Sequence, residues 1–174
     1  MTEHDVPQTP VRQEVMDRAA KYLAYRPRTR QELCRHLQEK GVDTEEANRC
    51  ADWMEEYHLV DDLEFSRLYI ETMLQRGRGM ERIRRELRQK GISELMIEDA
   101  QLLLEEIPDE YETALQQAIE TLQGVDVQSM DHREREKQKG RIARRLAGRG
   151  FRTETIYRAV REAFEQRRQQ QSEE

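Results

Sequence analysis

Three segments of this chain share one register of apolar residues and glycine: RQELCRHLQEKGV (30–42), MERIRRELRQKGI (80–92) and GRIARRLAGRGF (140–151). Each carries two apolar residues four apart, namely Leu33 and Leu37, Ile83 and Leu87, Ile142 and Leu146. Each ends in a basic residue, a glycine and an apolar residue: Lys40-Gly41-Val42, Lys90-Gly91-Ile92 and Arg149-Gly150-Phe151. The register continues, with Ala47, Ile97 and Ile156 six past the glycine and Cys50, Ala100 and Ala159 nine past it. A chain that repeats on this scale folds as stacked copies of one small unit, because no copy alone buries enough apolar surface.

One copy can be read physically. Apolar spacing of four marks one face of a helix. The glycine supplies the left-handed residue that ends the helix, and the basic residue before it suits the negative C-terminal pole. Asp43, Ser93 and Thr153 are then expected N-caps of the following helix. Thr29 with Glu32 forms a capping box, and Asp61 with Glu64 a close variant of it. A further helix precedes each copy, over about 11–25, 62–75 and 109–122, with Pro27, Gly77, Gly79 and Pro108 in the connections. The expected fold is all-α, with three tandem three-helix repeats forming an elongated, curved array. The repeats are placed at 11–59, 60–107 and 108–166, between a disordered tail (1–10) and a frayed C-terminal tail (167–174). The stretch QGVDVQSMD (123–131) is an extra loop in the third repeat.

The charge is sorted along the chain. Of 174 residues, 30 are Lys or Arg and 36 Asp or Glu, a net charge of −6. Yet residues 76–92 hold seven basic residues against Glu81 and Glu86, and residues 132–152 hold nine against Glu134 and Glu136. Residues 93–131 hold eleven acids and no Lys or Arg. Middle helices are therefore basic and the segments after them acidic. Met80, Ile83 and Leu87 are the expected buried stripe, which leaves Arg82, Arg84, Arg85 and Arg88 facing a partner. Pairs Glu81–Arg85 and Glu86–Lys90 would otherwise stitch a solvated helix. The same argument selects Arg141, Arg144, Arg145, Arg149 and Arg152, with Arg28 and Arg30 as weaker candidates. Arginine suits phosphate and carboxylate alike, so charge alone leaves DNA and an acidic protein surface both open.

Other features read as structural. Cys34, His36, Cys50 and His58 have a spacing that fits no familiar zinc finger, and Cys50 falls on an apolar face. RGRG (76–79) could cradle a phosphate, but turn chemistry favours a helix–helix connection. LVDD (59–62) is better explained by capping than by metal-binding carboxylates. Trp53 is expected in the core. The sequence shows no phosphate-cradling glycine loop, nucleophile elbow or HExxH motif, so no enzyme, metal or cofactor is expected. It contains no apolar run long enough to span a membrane and begins without an apolar signal region, so the cytoplasm is the expected location.

The strings YLAYRPRTRQELCRHLQEKGV, LVDDLEFSRLYIE, GMERIRRELRQKGI and RGFRTETIYRAV, in this order and spacing from about residue 14 to 165, resemble the RecX regulatory family. Val42 departs from the family, which commonly has an aromatic after the glycine. The resemblance implies tandem three-helix repeats and no catalytic residues. It implies binding to the RecA filament on single-stranded DNA and modulation, usually inhibition, of RecA ATPase, strand exchange and coprotease activity. It places the chain in the filament groove; the default expectation for its oligomeric state is a monomer. Single-stranded DNA is then met directly or through RecA, with double-stranded DNA a further ligand. The acidic balance favours a protein partner that carries DNA over DNA alone. The alternatives are a stand-alone DNA-binding protein of helix-turn-helix-like units and an adaptor for another assembly.

Overall fold

A computed structural model of the chain describes residues 10–173. The tail expected at 1–10 lies outside them except for Pro10. The described residues form nine helices and no strand. The first unit is α1 (Gln13–Leu23), α2 (Arg30–Glu39) and α3 (Thr44–Glu56). The second is α4 (Asp62–Gln75), α5 (Met80–Gln89) and α6 (Glu94–Leu102). The third is α7 (Glu110–Leu122), α8 (His132–Arg149) and α9 (Thr153–Glu173).

Each unit has its own core. Leu33 and Leu37 meet Val15, Ala19, Ala47, Cys50 and Met54 in the first. Ile83 and Leu87 meet Ile70, Ile97 and Ala100 in the second. Ile142 and Leu146 meet Ala114, Ala118, Leu122, Ile156 and Ala159 in the third. These paired residues of the shared register are fully or almost fully buried, so truncating one to alanine costs about 2–5 kcal/mol.

The helix ends follow the sequence. Gly41, Gly91 and Gly150 have φ of 83°, 88° and 89°. The amides of Val42, Ile92 and Phe151 turn back to the carbonyls of Leu37, Leu87 and Leu146, which closes the same C-terminal motif three times. Thr29 and Glu32 form the full capping box, while Asp43, Asp61 and Ser93 each accept a backbone N–H three residues on.

Four expectations are corrected. Thr153 is the first helical residue of α9 and not its cap; the carbonyl of Arg152 accepts from Ile156 N, so Arg152 is the N-cap. The Arg152 side chain carries no oxygen to cap α9, and its backbone N–H is taken by Glu110 at the start of α7, at 3.0 Å. The frayed tail expected at 167–174 is helical through Glu173. Arg167 Nε and Gln171 Nε2 hold the Val125 carbonyl at 3.1 and 3.0 Å, bonds that a local reading of a Gln-rich segment cannot foresee. Trp53 is at the surface, 37% exposed, where it stacks on Tyr57 one turn further along, at the end of α3, instead of entering the core. The pairs Glu81–Arg85 and Glu86–Lys90 do not form. Glu86 takes Arg82 and the Tyr69 hydroxyl, while Lys90 reaches Glu32 of the first unit.

The units are joined by one contact used twice. Thr29, the N-cap of α2, donates its hydroxyl to the Lys90 carbonyl at the end of α5 (2.7 Å). Gly79, the equivalent N-cap of α5, donates its amide to the Arg149 carbonyl at the end of α8 (2.9 Å). The middle helices therefore meet head to tail in the order α8, α5, α2, and each positive N-terminal pole abuts a negative C-terminal one. Side chains reinforce both joints. Asp62 accepts the Arg30 amide at 2.8 Å and Glu32 accepts Lys90 Nζ at 2.9 Å. Arg82 Nη1 donates to the Gly148 carbonyl at 2.8 Å, and Gln117 donates to the Gly77 carbonyl at 3.0 Å.

Candidate functional site

The row of middle helices sorts the eleven candidate arginines into held and available groups. Arg28 lies over the Tyr22 ring at 4.3 Å. Arg30 is bound to Asp52 at 2.5 Å and faces Glu55 at 3.6 Å. Arg82 spans Glu86 and the Gly148 carbonyl across the second joint. Arg84 is turned to α6, where it pairs with Glu94 and donates to Gln101 at 2.6 Å. Arg149 is bound to Gln117 at 2.8 Å, and Arg152 to Glu110 at 2.6 Å. Five of these are tied by hydrogen bonds or ion pairs that a partner would have to displace, and Arg28 by its position over Tyr22 alone.

The other five are exposed. Arg88 approaches Glu94 only at 3.9 Å, and Arg145 reaches the Thr121 hydroxyl at 3.4 Å. Arg85, Arg141 and Arg144 form no ion pair among the described residues. Sequence reasoning missed a sixth, Arg35, which is exposed and touches only the Gln31 side-chain oxygen, at 3.3 Å. The signal was in the register. Arg35, Arg85 and Arg144 each lie two residues past Leu33, Ile83 and Ile142, and so take the same outward position on α2, α5 and α8. One unpaired arginine per unit, on helices that meet end to end, presents a repeating set of donors to an anionic object with its own repeat.

Electrostatics distinguish this face from the joints beside it. Burial pushes the Glu32 carboxyl up, but hydrogen bonds from Lys90, the Thr29 amide and Arg26 outweigh it and hold the group below its ordinary value. Glu46 on α3 is held down at about 2 by its hydrogen bonds to the Arg12 side chain and amide. Burial raises the Tyr69 hydroxyl to about 12, helped by its bond to Glu86. None of these groups faces a cavity with a nucleophile or base.

The residues first weighed as metal ligands have other contacts. Cys50 Sγ is buried against Met16 Sδ at 3.7 Å. The His36 ring stacks on Tyr22 at 3.9 Å. His58 occupies a left-handed turn with φ of 54°. Among the described residues no group of three or more His, Cys, Asp or Glu stands in metal-binding geometry. Nor is RGRG an anion cradle: the Gly79 amide is taken by Arg149 and the Gly77 carbonyl by Gln117. Asp61 caps α4 and Asp62 holds the first joint, which accounts for LVDD.

Comparison with known proteins agrees with the three-helix units. The family model for the first three-helix domain of RecX matches residues 16–54, and that for the second matches residues 61–100. The regulatory protein RecX of Bacillus pumilus is 29% identical over 157 residues, which cover 90% of this chain and 57% of that protein. That of Prosthecochloris aestuarii is 29% identical over 86% of this chain and 93% of its own length. The chain spans about half the length of several of these relatives, 46% for that of Lactobacillus delbrueckii. The crystal structure of RecX from Lactobacillus salivarius superposes with a TM-score of 0.70 at 22% identity, over 86% of this chain and 94% of that one. A second crystal structure of a regulatory protein RecX gives 0.66 at 26% identity. Two domain models matching the first two units, relatives aligned along most of the chain and a shared all-α repeat fold agree: the chain belongs to the RecX family.

Proposed function

We propose that the chain binds a RecA filament assembled on single-stranded DNA and lowers its ATPase, strand-exchange and coprotease activities. The middle helices lie along the filament groove, where they hinder the second strand or filament growth. The observation that carries this reading is the repeated outward arginine, Arg35, Arg85 and Arg144, on helices joined head to tail. A helical filament offers its acidic groups and its DNA phosphates at regular intervals. A row of arginines at equivalent register answers such an array better than it answers one compact ligand. Arg88, Arg141 and Arg145 widen the same face. The chain acts as a monomer in the cytoplasm and performs no catalysis itself; none of its described helices is long and apolar enough to cross a membrane.

The test is the single-stranded-DNA-dependent ATPase of the cognate RecA, titrated with this chain. Suppression is expected well below one copy per RecA. Replacing Arg35, Arg85 and Arg144 together by Gln should raise the half-maximal concentration at least tenfold, or about 1.4 kcal/mol of binding. No suppression at excess would refute the reading. A second reading, DNA binding without RecA, is favoured by the exposed Arg141, Arg144 and Arg145 on α8. It predicts binding to naked DNA that falls steeply with salt.

A further inference from the structure

The third unit differs from the other two in three ways. Its middle helix has 18 residues where α2 and α5 each have 10. Its last helix has 21 where α3 has 13 and α6 has 9. It also carries the loop 123–131. The loop, the first turns of α8 and the last turns of α9 come together beyond the shared three-helix core. Gln128 Nε2 donates to the Arg168 carbonyl at 3.3 Å and to the Ser172 hydroxyl at 2.8 Å. Val127 N donates to Gln171 at 3.1 Å, and Arg135 Nη2 donates to the Gln128 carbonyl at 3.2 Å.

These bonds frame a cleft of about 220 Å³ between α8 and α9. Arg135, Lys139, Arg161 and Arg168 line it over a floor of Val127 and Phe164. The one acid at its wall, Glu165, makes no ion pair among the described residues. Lys139 is bound to Glu136 at 2.8 Å and lies 5.7 Å from the Phe164 ring centre. Arg161 and Arg168 are exposed, and neither side chain has a partner among the described residues. Arg135 Nε is buried and lacks any hydrogen-bond acceptor. Three cations without an ion pair among the described residues, Arg135, Arg161 and Arg168, beside one free carboxylate, with the Arg135 Nε donor unpartnered, form an arrangement that an anion completes. The helix dipole does not account for it, since Arg135 and Lys139 lie in the first half of α8, toward its positive end. Nor does overall charge, since the chain is net negative. The volume is below the roughly 300–1,000 Å³ of clefts that enclose a drug-sized ligand, so it suits a phosphate group with the rest of its carrier outside.

We propose that the cleft between α8 and α9, walled by Arg135, Lys139, Arg161 and Arg168, binds a phosphate group. The carrier is a nucleic-acid strand or a small phosphate ester. The site does not depend on RecA and is measured on the chain alone, so the ATPase titration can fail while this site stands, and the reverse. The probe is inorganic pyrophosphate at low ionic strength, followed by two-dimensional amide and arginine-side-chain NMR. Saturable binding of one pyrophosphate per chain is expected, with the largest shifts at Arg135 Nε and along 125–139 and 161–168. Arg161→Gln with Arg168→Gln, both exposed and outside the core, should weaken it at least tenfold with an unchanged melting temperature. Arg135→Gln should do the same even if it costs some stability. A linear, unsaturated response of the wild type, shifts centred elsewhere, or equal affinity in the double variant would overturn the site. A 5′-phosphorylated oligothymidine added to the pyrophosphate complex identifies the carrier: displacement assigns a strand, and its absence assigns the small ester.

Discussion

Replacing Gly79 by Ser tests the joint between the second and third units with opposite signs for two lines of reasoning. Gly79 is the N-cap of α5 with φ of −79°, a conformation any residue adopts. By local rules serine there should help, since its hydroxyl would cap α5 better than glycine by a few tenths of a kcal/mol. The joint says otherwise. A Cβ on Gly79 would stand 2.1 Å from the Gly150 carbonyl oxygen, 2.3 Å from its carbon and 2.5 Å from Phe151 N, all backbone atoms. Ordinary contact begins near 3.5 Å, so the two backbones must part by roughly 1 Å or more. That stretches the 2.9 Å bond from Gly79 N to the Arg149 carbonyl beyond bonding range, and with it the 2.8 Å bond from Arg82 to the Gly148 carbonyl. One neutral bond contributes about 0.5–1.5 kcal/mol and one charged bond about 1.5–3, so the substitution should destabilise by about 2–4 kcal/mol. Urea unfolding followed by far-ultraviolet circular dichroism measures it. Gly148→Ala is the control: its Cβ meets nothing within 4 Å, so helix propensity should make it more stable by about 0.5–1 kcal/mol. If Gly79→Ser is as stable as the parent, the close approach of the two units is wrong and the head-to-tail arrangement fails with it.

Four further outcomes can be checked. Thr29→Val keeps the buried shape but removes both the α2 cap and the bond to the Lys90 carbonyl, and should cost about 1–3 kcal/mol in the same urea assay. Glu46 is held at about 2 against an unfolded value near 4.3, so its contribution is complete above the latter and disappears as pH falls toward the former. An Arg12→Ala variant should therefore lose stability at pH 7 yet match the parent at pH 2, and acid titrations of both give the result. Burial raises the Cys50 thiol to about 11, so a disulfide reagent at pH 8 should modify Cys34 first and Cys50 only on unfolding; equal native rates would contradict its burial. Arg84→Gln should lower stability more than Arg85→Gln, because Arg84 holds Glu94 and Gln101 whereas Arg85 faces solvent.

What the sequence disclosed was periodic, and what it withheld was pairwise. The four-residue spacing, the glycine after each middle helix and four of the five expected caps appear where the sequence puts them, because they depend on neighbours a few residues away. The same register contained Arg35, which lies in a stretch whose total charge is unremarkable. The fate of Arg82, Arg84 and Arg149 was not legible. Their partners lie on other elements: the Gly148 carbonyl for Arg82, Glu94 and Gln101 for Arg84, and Gln117 for Arg149, up to sixty-six residues distant. Trp53 was misjudged because an aromatic at a register position shared with Leu103 suggests core, and both turn out to be exposed. The basic cleft of the third unit required the loop 123–131 to fold back on α9, which no local signal specifies.

The two joints are made of different chemistry, and this makes the array's coupling unequal along its length. In a chain of repeats each unit's opening is tied to its neighbours only through the shared interfaces. Among the described residues the hydrogen bonds and ion pairs between units run from first to second and from second to third. The first joint includes the Glu32 carboxylate, held below its ordinary value, and so weakens as that group takes up a proton or as salt screens Lys90. The second rests on glycine backbones in contact and on bonds from Arg82 and Gln117 to backbone carbonyls, with no carboxylate shared between the two units among the described residues. As pH falls below the ordinary glutamate range the first joint should thus loosen, while the second and third units still protect one another. Amide exchange along α2 would then accelerate at a pH where α5 and α8 remain closed.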